Sequence, residues 1–444
     1  MLRRIEELPS VWRYVVLALL GIGLWFVLRW VDESDEPHVE IHVKLKPGGT
    51  LHEPSQMMFA LGTPDPLTRW RKLSVPASHV DHELATLAGD PGVEEAFVAP
   101  LVTLPSANDG DSCPITTPSY SEHQGYLDPA PGGIDVQAAW RLNARGAGVQ
   151  FADIEGGWNA KHEDLPGARI THVAGAMIND PSWRAHGTAV LGEVVGVDNG
   201  KGVTGIAPDV DHVYTSSIGS QTVAEAIEAA AEQLEAGDVL LIELQGGGPR
   251  GRYVPMEYWD DNYDVIRVAT DRGVVVIEAA GNGNEDLDLP VFKRKFDRTF
   301  RDSGAILVGA GGPPRAGYRD REKLDFSNYG SRVDVQGWGR KVATLDYGDL
   351  QKCTGDDRHY TDRHYTGEFS GTSSASPIVA GAAILVEGLA HDRGTTLSPR
   401  AVRTLLHDTG SPQMGSMKQQ IGPRPDLARA INVLSVSIDR ARTE

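Results

Sequence analysis

Four short, almost wholly apolar runs constrain this chain more than anything else in it: VQFADI (149–154), DVLLIEL (238–244), GVVVIEAA (273–280) and SGAILVGAG (303–311). A strand apolar on both faces must be covered on both faces, which is the condition of a parallel strand inside an α/β sheet. Helical stretches lie between and after these runs, QTVAEAIEAAAEQLEAG (221–237) and SSASPIVAGAAILVEGLA (373–390). The alternation predicts an α/β domain with a central parallel sheet, and places any site at the carboxyl ends of its strands.

The text before this domain differs. An uncharged apolar stretch, YVVLALLGIGLWFVL (14–28), is preceded by Arg3, Arg4 and Arg13 and followed by Arg29 and an acidic cluster from Asp32. With its flanking tryptophans it approaches the ~20 residues that span a bilayer, and the charge bias puts the N-terminus in the cytoplasm and the rest outside. Residues 1–31 are therefore expected to be a membrane anchor. A cleaved signal segment, giving a secreted protein, is the rival reading. From His38 the text alternates (HVEIHVKLKP), passes through a helix-like SHVDHELATL (78–87) and returns to strand in GVEEAFVAPLVTL (92–104). Residues 32–104 are thus expected to form a small α+β unit. Residues 105–133, rich in Pro, Ser, Gly and Asp, read as an exposed linker, and 134–444 as the main domain.

Charge and cysteine content remove other classes. Forty-two basic against 61 acidic residues leave a net charge of −19, which speaks against a general nucleic-acid binder. Two cysteines permit one disulfide and no four-thiolate zinc site. The doubled pentapeptide DRHYT-DRHYT (357–366) is too short for a repeat fold and reads as an exposed polar loop; a metal-binding role for His359 and His364 lacks an evident third ligand.

Three segments carry chemistry. Asp153 ends a strand-like run. His186 opens the helix-like HGTAVLG. Ser373 enters a small-residue helix in FSGTSSASP (369–377), with Pro377 in the first turns. Each alone is ordinary, since a serine there can be an N-cap and an aspartate a turn. Together they supply a nucleophile, a base and an orienting carboxylate. Backbone N–H groups at the start of the Ser373 helix lie where an oxyanion would form.

These residues resemble the subtilases, the subtilisin-like serine peptidases. The order Asp, His, Ser is kept; G-T-S-x-A-x-P stands as Gly371 to Pro377, H-G-T-x-V-x-G as His186 to Gly192, and A-A-G-N as Ala279 to Asn282. The resemblance, over about residues 134–434, implies a three-layer subtilisin-like fold and a serine endopeptidase acting on protein or peptide substrates. It implies a triad of Asp153, His186 and Ser373, with Asn282 as side-chain oxyanion donor; no cofactor and no metal-ligating residues are assigned, structural calcium being left open. It also likens the 38–104 unit to an inhibitory prodomain, so that the protein is a zymogen cut in the linker. The substrate-strand segment corresponds to Glu243, Leu244, Gln245 and Gly246. Its departures are acidic: Asp153-Ile154-Glu155 stands where D-S/T-G is usual, and Glu193, Glu243 and Glu278 also fall in core motifs. Glu243 as a pocket carboxylate predicts a basic residue before the scissile bond; a proton shared between Glu243 and Glu278 is the competing expectation. A Cys113–Cys353 disulfide is expected outside the cytoplasm. The alternatives are a non-catalytic binding module on the same fold and an esterase; the latter lacks a G-x-S-x-G elbow.

Overall fold

A computed structural model of the chain describes residues 38–47, 49, 59–61, 69–99, 116–353 and 360–443. The anchor expected at 1–31, Cys113 and His359 lie outside the described residues. The chain divides into two compact units, residues 1–99 and 100–444.

The first unit comprises β1 (His38–Leu45), β2 (Phe59–Leu61), β3 (Trp70–Pro76), α1 (Val80–Gly89) and β4 (Val93–Val98). Its sheet runs β2-β3-β1-β4 with antiparallel neighbours throughout. The alternation in β1 sends Ile41, Val43 and Leu45 into a core with Leu73, Val75 and Leu87. It is the α+β unit the text predicts.

The second unit continues with α2 (Val136–Trp140), β5 (Gln150–Glu155), β6 (Ile170–Ala174), α3 (Pro181–Val195), β7 (His212–Ser217), α4 (Val223–Ala231), β8 (Val239–Ile242), β9 (Gln245–Gly247), β10 (Tyr253–Pro255), α5 (Asp260–Asp271), β11 (Val275–Ala279), β12 (Ile306–Gly311), β13 (Val335–Trp338), β14 (Val342–Leu345), β15 (Tyr365–Phe369), α6 (Thr372–His391), α7 (Pro399–Thr409) and α8 (Leu427–Thr443). Seven strands form one sheet in the order β13-β12-β11-β8-β5-β7-β6, every pair parallel. The four apolar runs are β5, β8, β11 and β12, adjacent at its centre. Helix α6 packs across β8, β11, β12 and β13 and is buried from Thr372 to Ala390. Among the described residues it is the one helix long and apolar enough to cross a membrane, and here it is the core helix.

Three differences from the sequence reading have clear causes. Helix α4 stops at Ala231 because Asp238 pulls the chain into a turn, accepting from Glu235 N at 2.8 Å and Gln150 N at 2.7 Å. The described part of the presumed exposed linker, 116–133, packs into the second unit. Tyr126 is fully buried and donates to the Ala343 carbonyl at 3.0 Å, and Tyr120 donates to Gln351 Oε1 at 3.0 Å. In the second DRHYT copy His364, Tyr365 and Thr366 are buried too. Tyr365 sits 5.0 Å from the His162 ring and 5.2 Å from Tyr120, and Cys353, in the same insertion between β14 and β15, is disulfide-bonded.

Candidate active site

The carboxyl end of β5, the start of α3 and the start of α6 converge. Helix α3 begins on an Asp180 N-cap, whose side chain accepts from Ser182 N at 2.8 Å, with Pro181 in the first turn. His186 lies in its second turn with no exposed surface. Its Nδ1–H donates to Glu155 Oε1, the last residue of β5, itself fully buried. A carboxylate only accepts, so this bond fixes the tautomer and leaves Nε2 as the free base. Nε2 makes no hydrogen bond. Glu155 Oε2 accepts from Gly156 N at 3.1 Å. The glycine is required, because a Cβ at 156 would lie 2.5 Å from the Trp183 ring on α3.

The sequence reading gives the orienting carboxylate to Asp153, and the structure corrects this. Asp153 Oδ2 accepts from Trp158 Nε1 at 2.7 Å and does not bond the imidazole. Residues 153 and 155 share a face of β5, two residues apart, and Glu155 is nearer the strand end where His186 sits. The signal that could have pointed to Glu155 is the turn: it ends β5 and immediately precedes the small-residue bend Gly156-Gly157.

Ser373 is the second residue of α6 and is 4 % exposed. The helix starts at Gly371, whose φ of +111° is a conformation L side chains rarely adopt. Phe369, four residues before the serine, packs edge-on against the His186 ring at 5.4 Å, with Tyr347 5.7 Å behind it. The strand leading to the serine thus roofs the imidazole with apolar surface. Asn282 follows β11. Its Oδ1 accepts from Thr372 N at 2.9 Å and Thr372 Oγ1 at 3.1 Å, and its own N–H donates to Gln245 Oε1 at 2.7 Å. With Oδ1 occupied, its amide NH2 is the group left to donate.

Of the substrate-strand residues, Gln245 and Gly246 lie on β9, which pairs with β10 through Gly246 opposite Val254. Leu244 is fully buried. Glu243 is corrected as a pocket carboxylate: it is 2 % exposed and surrounded by Asp153, Glu155 and Glu193, so its charge is not offered to a substrate. Glu278 does not share a proton with Glu243. It accepts from Glu257 N at 2.8 Å and is pushed up to about 8, first by burial and then by Glu257.

The profile of the Subtilase family matches residues 157–423, which hold His186, Asn282 and Ser373. The chain is 31% identical over 293 residues to subtilisin DY of Bacillus licheniformis, 63% of this chain and 91% of that protein. It is 28% identical over 276 residues to an intracellular serine protease of Paenibacillus polymyxa, 58% of this chain and 72% of that one. In fold it resembles the epidermin leader peptide processing serine protease of Staphylococcus aureus, with a TM-score of 0.59 at 16% identity over 89% of this chain and 98% of that one.

Proposed function

Since this chain belongs to the subtilase family and is a subtilisin-like serine endopeptidase, we propose that it cuts peptide bonds through Ser373, His186 and Glu155, with Asn282 completing the oxyanion site. The observation that carries this reading is the wholly buried Glu155–His186 hydrogen bond with Nε2 left unbonded. In the proposed cycle Ser373 Oγ attacks the scissile carbonyl while His186 Nε2 takes its proton. Glu155 holds the imidazole and stabilises its charged form. Negative charge developing on the carbonyl oxygen is met by the Asn282 amide and the Ser373 backbone N–H at the start of α6. The imidazolium protonates the leaving amine, and water then releases the acyl group by the same route. Asn282→Ala is expected to lower kcat by about 10²–10³ with little change in KM, read from steady-state kinetics on a peptide substrate.

The first unit is proposed to be a prodomain, and the protein a membrane-anchored zymogen with its peptidase unit outside the cytoplasm. Because residues from 116 onward pack into the peptidase unit, the proposed cut lies between about 105 and 115. N-terminal sequencing of wild-type protein is expected to show a new terminus there, while Ser373→Ala protein stays full length. Equal processing of both would assign the cut to another protease.

A further inference from the structure

The Glu155–His186 pair stands at the edge of a larger dry group of acids. Asp153 is on the same face of β5. Strand β8 runs parallel beside β5, with Ile154 opposite Ile242, so Glu243, one residue beyond β8, comes level with Glu155. Glu193 lies seven residues after His186, two turns down the same face of α3. All four carboxylates are at most 2 % exposed. Asp153 Oδ1 and both oxygens of Glu193 and of Glu243 have no hydrogen-bond partner. The Ser376 hydroxyl of α6, which lies against Glu243, gives its hydrogen to the Thr372 carbonyl at 2.7 Å. The loop after β14 contributes Tyr347, whose phenol is raised by burial and by Glu155; beyond Glu193 lies Tyr126, raised by burial and by Glu193.

Four anions cannot share such a pocket. Burial penalises each charge, and each charge opposes the next. Glu155 is the best supplied with donors, the imidazole N–H on one oxygen and Gly156 N–H on the other, whereas Asp153 has the Trp158 indole on one oxygen only and Glu193 and Glu243 have none. Burial pushes Asp153 well up from the usual carboxylate range, and Glu155 pushes it further. Glu243 is raised by burial and then by Asp153, Glu155 and Glu193, and Glu193 by burial alone.

We propose that Asp153 and Glu243 are positioning residues that work as neutral carboxylic acids behind Glu155, confining the single negative charge of the group to the oxygen that holds His186, and that ionisation of either shuts the enzyme down on the alkaline side. A second anion in the pocket repels Glu155 or draws its charge away from the imidazole, and His186 then loses the acceptor that sets its tautomer. This inference rests on the proposed roles of Glu155, His186 and Ser373.

The test is the pH dependence of kcat/KM on a peptide substrate for wild type, Asp153→Asn and Glu243→Gln. Each substitution replaces a neutral acid by a neutral amide of nearly the same shape. Both variants are expected to stay within about threefold of wild type on the acid side and to carry their alkaline limb at least about one pH unit higher. A loss of about 10³-fold or more at every pH in Asp153→Asn would make Asp153 the ionised working carboxylate and overturn the proposal. An unmoved alkaline limb in both variants would overturn it equally. A readout independent of activity is the infrared carbonyl band of protonated carboxylic acid at neutral pH, recorded in Ser373→Ala protein. It is expected to weaken when Asp153→Asn is added, and its absence sinks the neutral-acid state. Retained activity in Ser373→Ala would instead remove the triad reading while leaving the infrared result standing.

Discussion

Ser373→Ala protein is expected to turn over peptide substrate slower by a factor on the order of 10⁵–10⁶, with its thermal melt unchanged. The serine is the only atom source for the acyl intermediate, so what survives is binding and the oxyanion donors. The same assay separates the two candidate acids. Glu155→Gln keeps the shape but replaces an acceptor by a group that can donate, favouring the wrong imidazole tautomer, and is expected to cost about 10⁴ in kcat, the size of effect seen when a triad carboxylate becomes an amide. Asp153→Asn is expected to be nearly silent at acid and neutral pH. The reverse ranking, with Asp153→Asn crippling and Glu155→Gln mild, would restore the aspartate as the working acid.

The second large effect is on stability. Asp153, Glu193, Glu243, Glu278 and Glu387 are all raised by burial, the last two to about 8. A carboxyl raised on folding keeps its proton where the unfolded chain has lost it. Its stabilising contribution is therefore complete below its ordinary value and drains away as pH climbs toward the raised one, at on the order of 1 kcal/mol per pH unit per group. His162, lowered to about 4 by burial, acts oppositely, losing stability as pH falls below 6.5. The lowered carboxylates Glu257 and Asp302 have delivered their contribution above their ordinary values and add no slope at neutral pH. Between pH 6.5 and 8 the several raised acids outweigh the opposite slope that begins near the top of the interval from Lys323, whose ammonium burial lowers to about 8, and Tm is expected to fall by about 5 °C or more across it. Glu387, which accepts from Leu397 N at 3.1 Å, is a clean probe. Glu387→Gln is expected to flatten the slope, and a Tm that rises from pH 6.5 to 8 would refute the assignment.

The sheet and its central helix were legible because buried parallel strands leave continuous apolar runs, and α6 leaves one of helical length. The placement of His186, Ser373 and Asn282 at helix starts and a strand end was legible because short motifs fix their neighbours. The acid was not. Moving two residues along β5 preserves the face, so periodicity cannot tell Asp153 from Glu155; only the strand-end position and the clearance at Gly156 bring Glu155 to the His186 ring. Glu243 was misplaced for a related reason, since a segment can border a cleft while one of its side chains turns inward. The stretch 116–133 was misread because Pro, Ser and Gly announce turns but say nothing of where Tyr120 and Tyr126 anchor those turns. The insertion between β14 and β15 hid its buried half behind a polar repeat.

Helix α6 has a consequence for how the molecule comes to exist. It is covered on every side by elements that arrive from both ends of the unit: α2 and α3, strands β8, β11, β12 and β13, and then α7 and α8. No consecutive stretch of chain contains more than a part of that cover. The Ser373 helix therefore cannot be half assembled with its apolar surface satisfied, and contacts so remote in sequence make for slow folding. A nascent copy lacking only its last helices leaves part of the Ser373 helix uncovered. On the proposed role of Ser373, an unfinished chain is therefore expected to lack a settled nucleophile until its last helices are made.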